Sequence, residues 1–259
     1  MIFRPAAPLM SGGPDGEEYD ELPDISVWRW RRDPRTTLRL TLTTFFALAV
    51  GAFAHVVEDY LDRESIVRWD VEFSRWLHVH SSGGLVSFFK LLTWLGNVAF
   101  LAFIVAAAVV WLVRRRRLNE AVLLAVSAAG IEVLNAALKL LFHRPRPELA
   151  YVHLDTYSFP SGHAVGTTAI YGVLVFILVA RAPRSRQLAA GAGYVLLVAL
   201  VCFSRLYLEV HYLSDVLAGA SLGAAWASGS LFVYEMKRDG DVRRLLPRSV
   251  VRLAGRLAR

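Results

Sequence analysis

Apolar stretches of about 20 residues, separated by short charged clusters, occupy most of the 259-residue chain. A membrane-spanning helix needs a stretch of this length and composition. Six stretches qualify, and they predict an all-α fold, a bundle of six transmembrane helices. The predicted spans cover residues 38–57, 88 or 95 to 113, 118–142, 163–180, 188–207 and 213–234.

The segment between the first two spans is charged, but it also carries a stripe of apolar side chains. Ile66, Trp69, Phe73, Trp76 and Leu77 are spaced so that they fall on one face of a helix. Tryptophan is enriched at the level of the lipid headgroups. We therefore expect an interfacial helix between spans 1 and 2, lying along the membrane surface.

The distribution of arginine predicts the orientation of the bundle. Arginine clusters precede the first span and join the second span to the third and the fourth to the fifth. They contain Arg29, Arg31, Arg32, Arg35 and Arg39, then Arg114 to Arg117, then Arg181, Arg184 and Arg186. The loops on the opposite side are poorer in arginine. Because cytoplasmic loops accumulate Lys and Arg, both termini are expected in the cytoplasm.

Both ends of the chain differ in composition from the middle. Residues 1–27 are acidic and rich in Gly and Pro, and they lack the apolar stretch of a signal peptide. We expect them to form a disordered cytoplasmic tail. Residues 236–259 alternate basic and apolar positions, which predicts a basic tail in the cytoplasm or on the membrane surface. The six-span domain is then expected to occupy residues 28–235.

The formal net charge is +7, but the arginines flank apolar segments. This arrangement indicates membrane topology and contact with anionic lipids, and no nucleic-acid partner is expected. Cys202 is the only cysteine, so an intramolecular disulfide and a cysteine-rich zinc site are excluded. No cofactor is expected, and the sequence does not indicate an oligomeric state.

Ionisable residues near membrane spans are energetically costly and therefore point to function. The third span ends in EVLNAALKLLFHRPRP, which leaves Lys139, Arg144 and Arg146 at one membrane surface. Taken alone, this segment is equally compatible with cations that snorkel to the interface.

The fourth span opens with a Pro-Ser-Gly-His turn that contains Ser161, Gly162 and His163. A helix N-terminus offers free backbone N–H groups and a positive dipole end, and so binds anions readily. The Ser161 hydroxyl can add a further donor. A plain helix cap formed by Ser161 is the alternative interpretation.

The junction of the fifth and sixth spans carries Ser204, Arg205, His211 and Asp215. The four-residue spacing lets the Asp215 carboxylate reach the His211 imidazole on an early helical turn. Such a contact fixes the tautomer and leaves the other ring nitrogen free as a nucleophile. A purely structural His–Asp pair is the alternative. Counting the spans places all three polar segments on the outer side, where their cations suit a phosphate group.

Together the three segments resemble the signature of the type 2 phosphatidic acid phosphatase superfamily, which includes the vanadium haloperoxidases. That signature reads Lys, six residues, Arg-Pro; then Pro-Ser-Gly-His; then Ser-Arg, five residues, His, three residues, Asp. All three parts occur in order between Lys139 and Asp215, and the spacing selects Arg146 rather than Arg144. The resemblance covers about residues 85–235.

The resemblance implies a role for each residue of the signature. His211 is expected to attack phosphorus and become phosphorylated, with Asp215 orienting it. His163 is expected to protonate the leaving oxygen and then to activate water. The residues expected to hold the phosphate oxygens are Lys139, Arg146, Ser161, the Gly162 backbone and Arg205. No metal is implied, because the cations supply the electrostatic stabilisation.

The expected function is therefore metal-independent hydrolysis of a lipid phosphate or diphosphate at the outer face of a bacterial inner membrane. Undecaprenyl diphosphate, phosphatidic acid and phosphatidylglycerol phosphate are candidate substrates. A lipid phosphotransferase would use the same residues, and a family member that only binds lipid is a further alternative. A haloperoxidase is disfavoured because those enzymes are soluble. A transporter is disfavoured because its site would lie at the bilayer midplane.

Overall fold

The structure is a computed structural model that describes residues 34–62, 65–148, 150–152 and 155–238. The predicted N-terminal tail, Arg29, Arg31, Arg32 and nearly all of the predicted C-terminal tail lie outside these residues. The chain divides into two units, Met1–Thr37 and Leu38–Arg259, and the second contains every predicted site residue.

Every secondary-structure element in the described part of the chain is helical, which confirms the all-α class. The elements are α1 (Pro34–Leu61), α2 (Ser65–His80), α3 (Gly83–Leu92), a 3₁₀ turn (Thr93–Gly96), α4 (Val98–Arg114), α5 (Leu118–Phe142), α6 (Gly162–Val179), α7 (Arg184–Tyr207) and α8 (Leu213–Arg238).

Five of the described helices, α1, α5, α6, α7 and α8, are long and apolar enough to cross a membrane. The second predicted span is broken: α3 and its 3₁₀ turn meet α4 at an angle of 42°, and the pair qualifies only when taken together. Asn97 causes the new start, because its side-chain Oδ1 accepts the Ala99 N–H at 2.9 Å and caps α4. The described residues therefore contain five or six candidate spans.

Large apolar side chains cover the outside of these helices. Phe45, Leu91 and Leu141, for example, are 61%, 74% and 71% exposed. Extensive exposed apolar surface marks a membrane-facing protein, since lipid tails rather than water contact it. This surface agrees with the sequence-based prediction of an integral membrane protein.

Helices α6 and α8 are the most enclosed of the candidate spans, and α6 packs against α5, α7 and α8. Two glycines of α8 permit the closest of these approaches. A Cβ atom on Gly219 would lie 2.7 Å from the Ser161 carbonyl oxygen, and one on Gly223 would lie 2.7 Å from that of Val165. Small residues of this kind let helix backbones pack tightly in membranes. The start of α6 is therefore held firmly against the start of α8.

The predicted helix between the first two spans is present as α2, Ser65–His80. Its apolar stripe is divided between two surroundings. Leu77 on the inner edge is buried, whereas Trp69 and Trp76 on the outer edge are 62% and 55% exposed. Asp70 also faces inward and is only 1% exposed. The position of α2 in the membrane interface remains a prediction.

Candidate active site

Four helix ends meet at one end of the bundle and bring the three polar segments together. The end of α5 supplies Lys139, the start of α6 supplies His163, the end of α7 supplies Arg205, and the start of α8 supplies Asp215. His163 and His211 both lie within electrostatic range of the cations Lys139, Arg146 and Arg205. The eight residues predicted from the sequence thus form one cluster.

His211 lies in the loop before α8 and is almost completely buried. Its Nδ1 lies 3.4 Å from Oδ2 of Asp215, and the same oxygen accepts the Tyr212 backbone N–H at 2.9 Å. The predicted His–Asp contact is therefore present, although it is long. Hydrogen bonds at catalytic sites are often long before a substrate binds.

The other ring nitrogen of His211 faces a cation. Its Nε2 lies 3.2 Å from Nη1 of Arg146, a group that can only donate hydrogen bonds. This contact favours the tautomer with the lone pair on Nε2 and the ring proton on Nδ1, on the side of Asp215. Arg146 is itself held by the carbonyl oxygens of Val210 and Thr156, at 2.6 and 2.7 Å.

Burial and neighbouring cations keep the His211 imidazole neutral. Burial is the largest cause that lowers its pKa well below the usual 6.5, and Arg205, Arg146 and Lys139 lower that pKa further. A neutral imidazole with a free lone pair on Nε2 is the form that can attack phosphorus.

Ser161 precedes α6, but it does not act as a side-chain cap. Its Oγ is buried and lacks a hydrogen-bond partner among the described residues. Its backbone N–H instead donates to the Asp215 carbonyl oxygen at 3.0 Å. Ser161 thus occupies the N-cap position of α6 without a capping bond from its side chain, and its hydroxyl is free to bind a ligand. A Cβ on Gly162 would lie 3.0 Å from Nδ2 of Asn135, so this turn packs against the polar face of α5.

The cations of the cluster also retain unused donors. Arg205 is 4% exposed, and its Nη1 donates to Oγ1 of Thr93 at 2.6 Å. The Arg205 Nε has no partner in the described part of the chain. Lys139 Nζ donates to the Tyr157 carbonyl oxygen at 2.6 Å. Buried donors without partners are rare in proteins, and here they match an anion with several oxygen atoms.

Comparison with known proteins agrees with this geometry. Residues 120–239, which include all eight site residues, match the PAP2 superfamily. The chain is 33% identical over 137 residues to phosphatidylglycerophosphatase B of Bacillus subtilis, covering 51% of this chain and 66% of that protein, just under two thirds. These matches confirm the resemblance to the PAP2 superfamily that was drawn from the three motifs.

Two further comparisons extend over more of the chain. Dolichyldiphosphatase of Saccharomyces cerevisiae is 29% identical over 185 residues, 68% of this chain and 75% of that protein. The crystal structure of a transmembrane PAP2-type phosphatidylglycerolphosphate phosphatase from Bacillus subtilis superposes with a TM-score of 0.64. It shares 26% identity and covers 76% of this chain and 96% of that one. This protein is therefore an integral membrane protein with the fold of PAP2 membrane phosphatases.

A cavity of about 310 Å³ opens beside His163 and Arg205. Its remaining lining residues are Lys90, Thr93, Trp94, Asn97, Val152 and Leu208. Most of these come from the bent α3–α4 segment. A Cβ on Gly96 would lie 3.1 Å from Cδ2 of His163, so the break in the second span forms one wall of the site.

Sequence reasoning missed two charged residues beside the PAP2 motif residues. The motif spacing selects Arg146 over Arg144, and the apolar stripe of the predicted interfacial helix does not include Asp70. Arg144 is buried and forms ion pairs of 2.7 Å with Asp215 and with Asp70. Burial opposes its charge, but the two carboxylates outweigh burial and raise the pKa of Arg144 above its ordinary value. An acidic residue on the apolar edge of α2 was the available signal for Asp70.

No group of three or more His, Cys, Asp or Glu side chains lies close enough to hold a metal ion among the residues that the structure describes. Metal independence stays a prediction, to be tested by assay. Cys202 is partly buried against an apolar cluster at the site end of the bundle.

Proposed function

We propose that this protein is a metal-independent phosphatase of lipid phosphates that acts through a phosphohistidine on His211. One observation carries the proposal: a buried, neutral imidazole has its Nδ1 toward a carboxylate and its Nε2 toward a cluster of cations. The cations would bind the phosphate on the side of His211 toward which the Nε2 lone pair points. The phosphatase names of the relatives give independent support.

The first proposed step transfers the phosphoryl group to the protein. Nε2 of His211 attacks phosphorus, and the bond from phosphorus to the lipid oxygen breaks. His163, which takes up a proton when the negatively charged phosphate binds among the cations, gives that proton to the lipid oxygen, so the lipid leaves as an alcohol or, from a diphosphate, as a lipid phosphate. Asp215 faces the protonated Nδ1 and stabilises the positive charge on the phosphorylated ring.

The second proposed step regenerates the enzyme. His163, now without its proton, takes one from a water molecule, and the water oxygen bonds to phosphorus. The bond from phosphorus to Nε2 breaks, and inorganic phosphate leaves. Both steps place extra negative charge on three phosphate oxygens. The groups proposed to hold these oxygens are Lys139, Arg146, Ser161, the Gly162 backbone N–H and Arg205.

The proposed substrate is an amphiphile whose tail remains in the bilayer. The site lies at helix ends, and α2, which contacts Arg144 through Asp70, carries exposed tryptophans of the kind that favour the headgroup level. The relatives are named for phosphatidylglycerophosphate and dolichyl diphosphate. Undecaprenyl diphosphate, phosphatidic acid and phosphatidylglycerol phosphate are the corresponding candidates here.

The proposed topology has six spans, with the bent α3–α4 pair counted as one. The arginine-rich connections after α4 and before α7 lie at the end of the bundle opposite to the candidate site. Positive loops face the cytoplasm, so the proposal places both termini in the cytoplasm and the site on the outer face. The proposed domain limits remain residues 28–235, flanked by the two tails.

Purified full-length protein tests the proposal with a panel of lipid mono- and diphosphates and no acceptor lipid. We expect inorganic phosphate to be released, whereas a phosphotransferase would need an acceptor. His211→Ala should abolish release, and a radiolabelled phosphoryl group should be trapped on the wild type in acid-labile, alkali-stable form. His80→Gln, on the exposed end of α2, is the matched control. Undiminished release by His211→Ala would remove the proposed nucleophile.

A further inference from the structure

A buried group of charges lies behind the candidate nucleophile, on the side away from the phosphate cations. We define the charge cluster as Asp70, Arg144, Ser214 and Asp215. Arg144 donates from Nη2 to Asp70 and from Nη1 to Asp215, both at 2.7 Å. The Ser214 backbone N–H donates to Asp70 at 2.8 Å, and its hydroxyl donates to the same carboxylate at 2.5 Å.

The charge cluster is shielded from water. Asp70, Arg144 and Asp215 are 1%, 5% and 0% exposed. The rings of Tyr60 and Tyr212 lie 4.6 and 4.4 Å from the Arg144 guanidinium carbon. Because only 5% of Arg144 is exposed, water would replace a lost carboxylate partner poorly. Removing one charge from the cluster therefore changes the electrostatic interactions of the charges that remain.

The charges of the cluster do not cancel. Two carboxylates face one guanidinium, which leaves one net negative charge beside His211. Asp70 engages one arm of Arg144, and Asp215 engages the other. Without the charge of Asp70, the positive charge of Arg144 would be balanced by Asp215 alone. Asp215 would then stabilise less of the positive charge that develops on the phosphorylated imidazole.

We propose that Asp70 is a positioning residue for phosphoryl transfer, acting through Arg144 on the Asp215–His211 pair. Asp70 offsets the charge of Arg144, and Arg144 in turn fixes the orientation of Asp215. Neither Asp70 nor Arg144 belongs to the three-part motif. This inference rests on the proposed role of His211 as the nucleophile.

The position of Asp70 separates its role from substrate binding. It lies on α2, whereas the cavity beside His163 is lined by residues of α3, the 3₁₀ turn, α6 and α7, and of nearby loops. A change at Asp70 should therefore alter the chemical step and leave the capture of the phosphate group largely intact. Replacing a residue with a purely structural role should not lower kcat selectively while KM stays nearly unchanged.

The test compares Asp70→Asn with the double variant Asp70→Asn/Arg144→Gln in purified full-length protein. Asparagine keeps the shape of Asp70 and an acceptor for Ser214, so it removes mainly the charge. We expect Asp70→Asn to lower kcat about 10- to 100-fold, the range seen when a supporting partner of a metal-ligating histidine is removed, with KM changed less than about threefold. The double variant restores the net charge of the cluster and should recover part of the lost kcat.

Glu120→Gln provides the matched control. Glu120 is also a buried carboxylate paired with an arginine, Arg117 at 3.2 Å, but it lies at the opposite end of the bundle. This control should retain the wild-type kcat. Thermal unfolding in detergent monitors the fold of each variant.

The outcomes separate this inference from the proposed function. A wild type that releases no phosphate would overturn both. An active wild type with an equally active, folded Asp70→Asn would overturn the inference alone, as would a double variant slower than the single one. If Asp70→Asn does not fold, the charge-balanced double variant replaces it. Measurable kcat in that variant supports the inference, and a folded but inactive double variant contradicts it.

Discussion

Gly96 allows the sharpest prediction about the candidate site, because a single methyl group there reaches three residues. It closes the 3₁₀ turn between α3 and α4, where the second span is broken. A Cβ at this position would lie 2.7 Å from Cγ1 of Val201, 2.8 Å from Oγ1 of Thr167 and 3.1 Å from Cδ2 of His163. Two of these distances are about 0.6 Å or more below ordinary van der Waals contact, which begins at 3.4 Å.

The neighbours of Gly96 cannot all move away. Val201 and Thr167 are both fully buried, and β-branched side chains have few alternative rotamers. The strain of Gly96→Ala must then be relieved by a shift of the turn or of the His163 ring. Overpacking of this kind costs about 1–3 kcal/mol of stability. Displacement of a catalytic group by about 1 Å can lower the rate by ~100-fold.

We therefore expect Gly96→Ala to lower kcat by about 10- to 100-fold and to lower the unfolding temperature. Phosphate release from a lipid phosphate and thermal unfolding in detergent measure the two effects. Gly84→Ala on α3 is the matched control, since no atom lies within 4 Å of the added methyl group. Val201→Ala in the Gly96→Ala background should recover part of the activity, because it removes the nearest atom. Equal kcat values for folded Gly96→Ala and Gly84→Ala would refute the reasoning.

Three further predictions concern the ligands of the site. Activity should survive excess EDTA within about twofold, because Lys139, Arg146 and Arg205 supply the positive charge around the phosphate; a strict need for magnesium would contradict the mechanism. Vanadate should inhibit competitively, since it adopts the five-coordinate geometry of the transition state; indifference to vanadate would argue against a preformed phosphate site. Lys90 lines the cavity on the side of His163, where the leaving group is proposed to lie. Lys90→Gln should therefore raise KM for lipid diphosphates about two- to fivefold more than for monophosphates. Steady-state kinetics on lipids with matched tails would measure this difference, and an equal effect on both substrates would exclude the role of Lys90.

The spans could be predicted from the sequence because long apolar stretches have few alternatives in a membrane. Their ends were predicted less well. The fifth predicted span begins at residue 188, whereas α7 begins at Arg184, and the sixth ends at 234, whereas α8 continues to Arg238. Hydropathy reports only the part of a helix inside the hydrocarbon, but backbone hydrogen bonding continues into the polar headgroup region. The uncertain start of the second span reflects a real break, which the Gly96-Asn97 pair produces.

The motif residues of the site could also be predicted, because each pair of them is close in sequence or fixed by a known spacing. The contacts that hold them in place could not. Arg144 meets Asp70 across 74 residues of sequence, and Arg205 meets Thr93 across 112. No local pattern encodes such pairs. The motif spacing favours Arg146 over Arg144, yet Nη1 of Arg144 lies 2.7 Å from Asp215, closer than Nδ1 of His211 at 3.4 Å.

The residues that carry the proposed chemistry and those that place it thus lie in different parts of the chain. The motifs stretch from the end of α5 to the start of α8, whereas Asp70, Thr93 and Gly96 belong to α2 and the broken second span. Asp70 reaches Asp215 through Arg144, and Thr93 contacts Arg205 directly. Gly96 lies beside His163. A chain with intact motifs but an altered segment 65–97 should therefore still bind phosphate through the cations, yet transfer it slowly. Differences in rate between relatives with identical motifs are then to be sought in this segment.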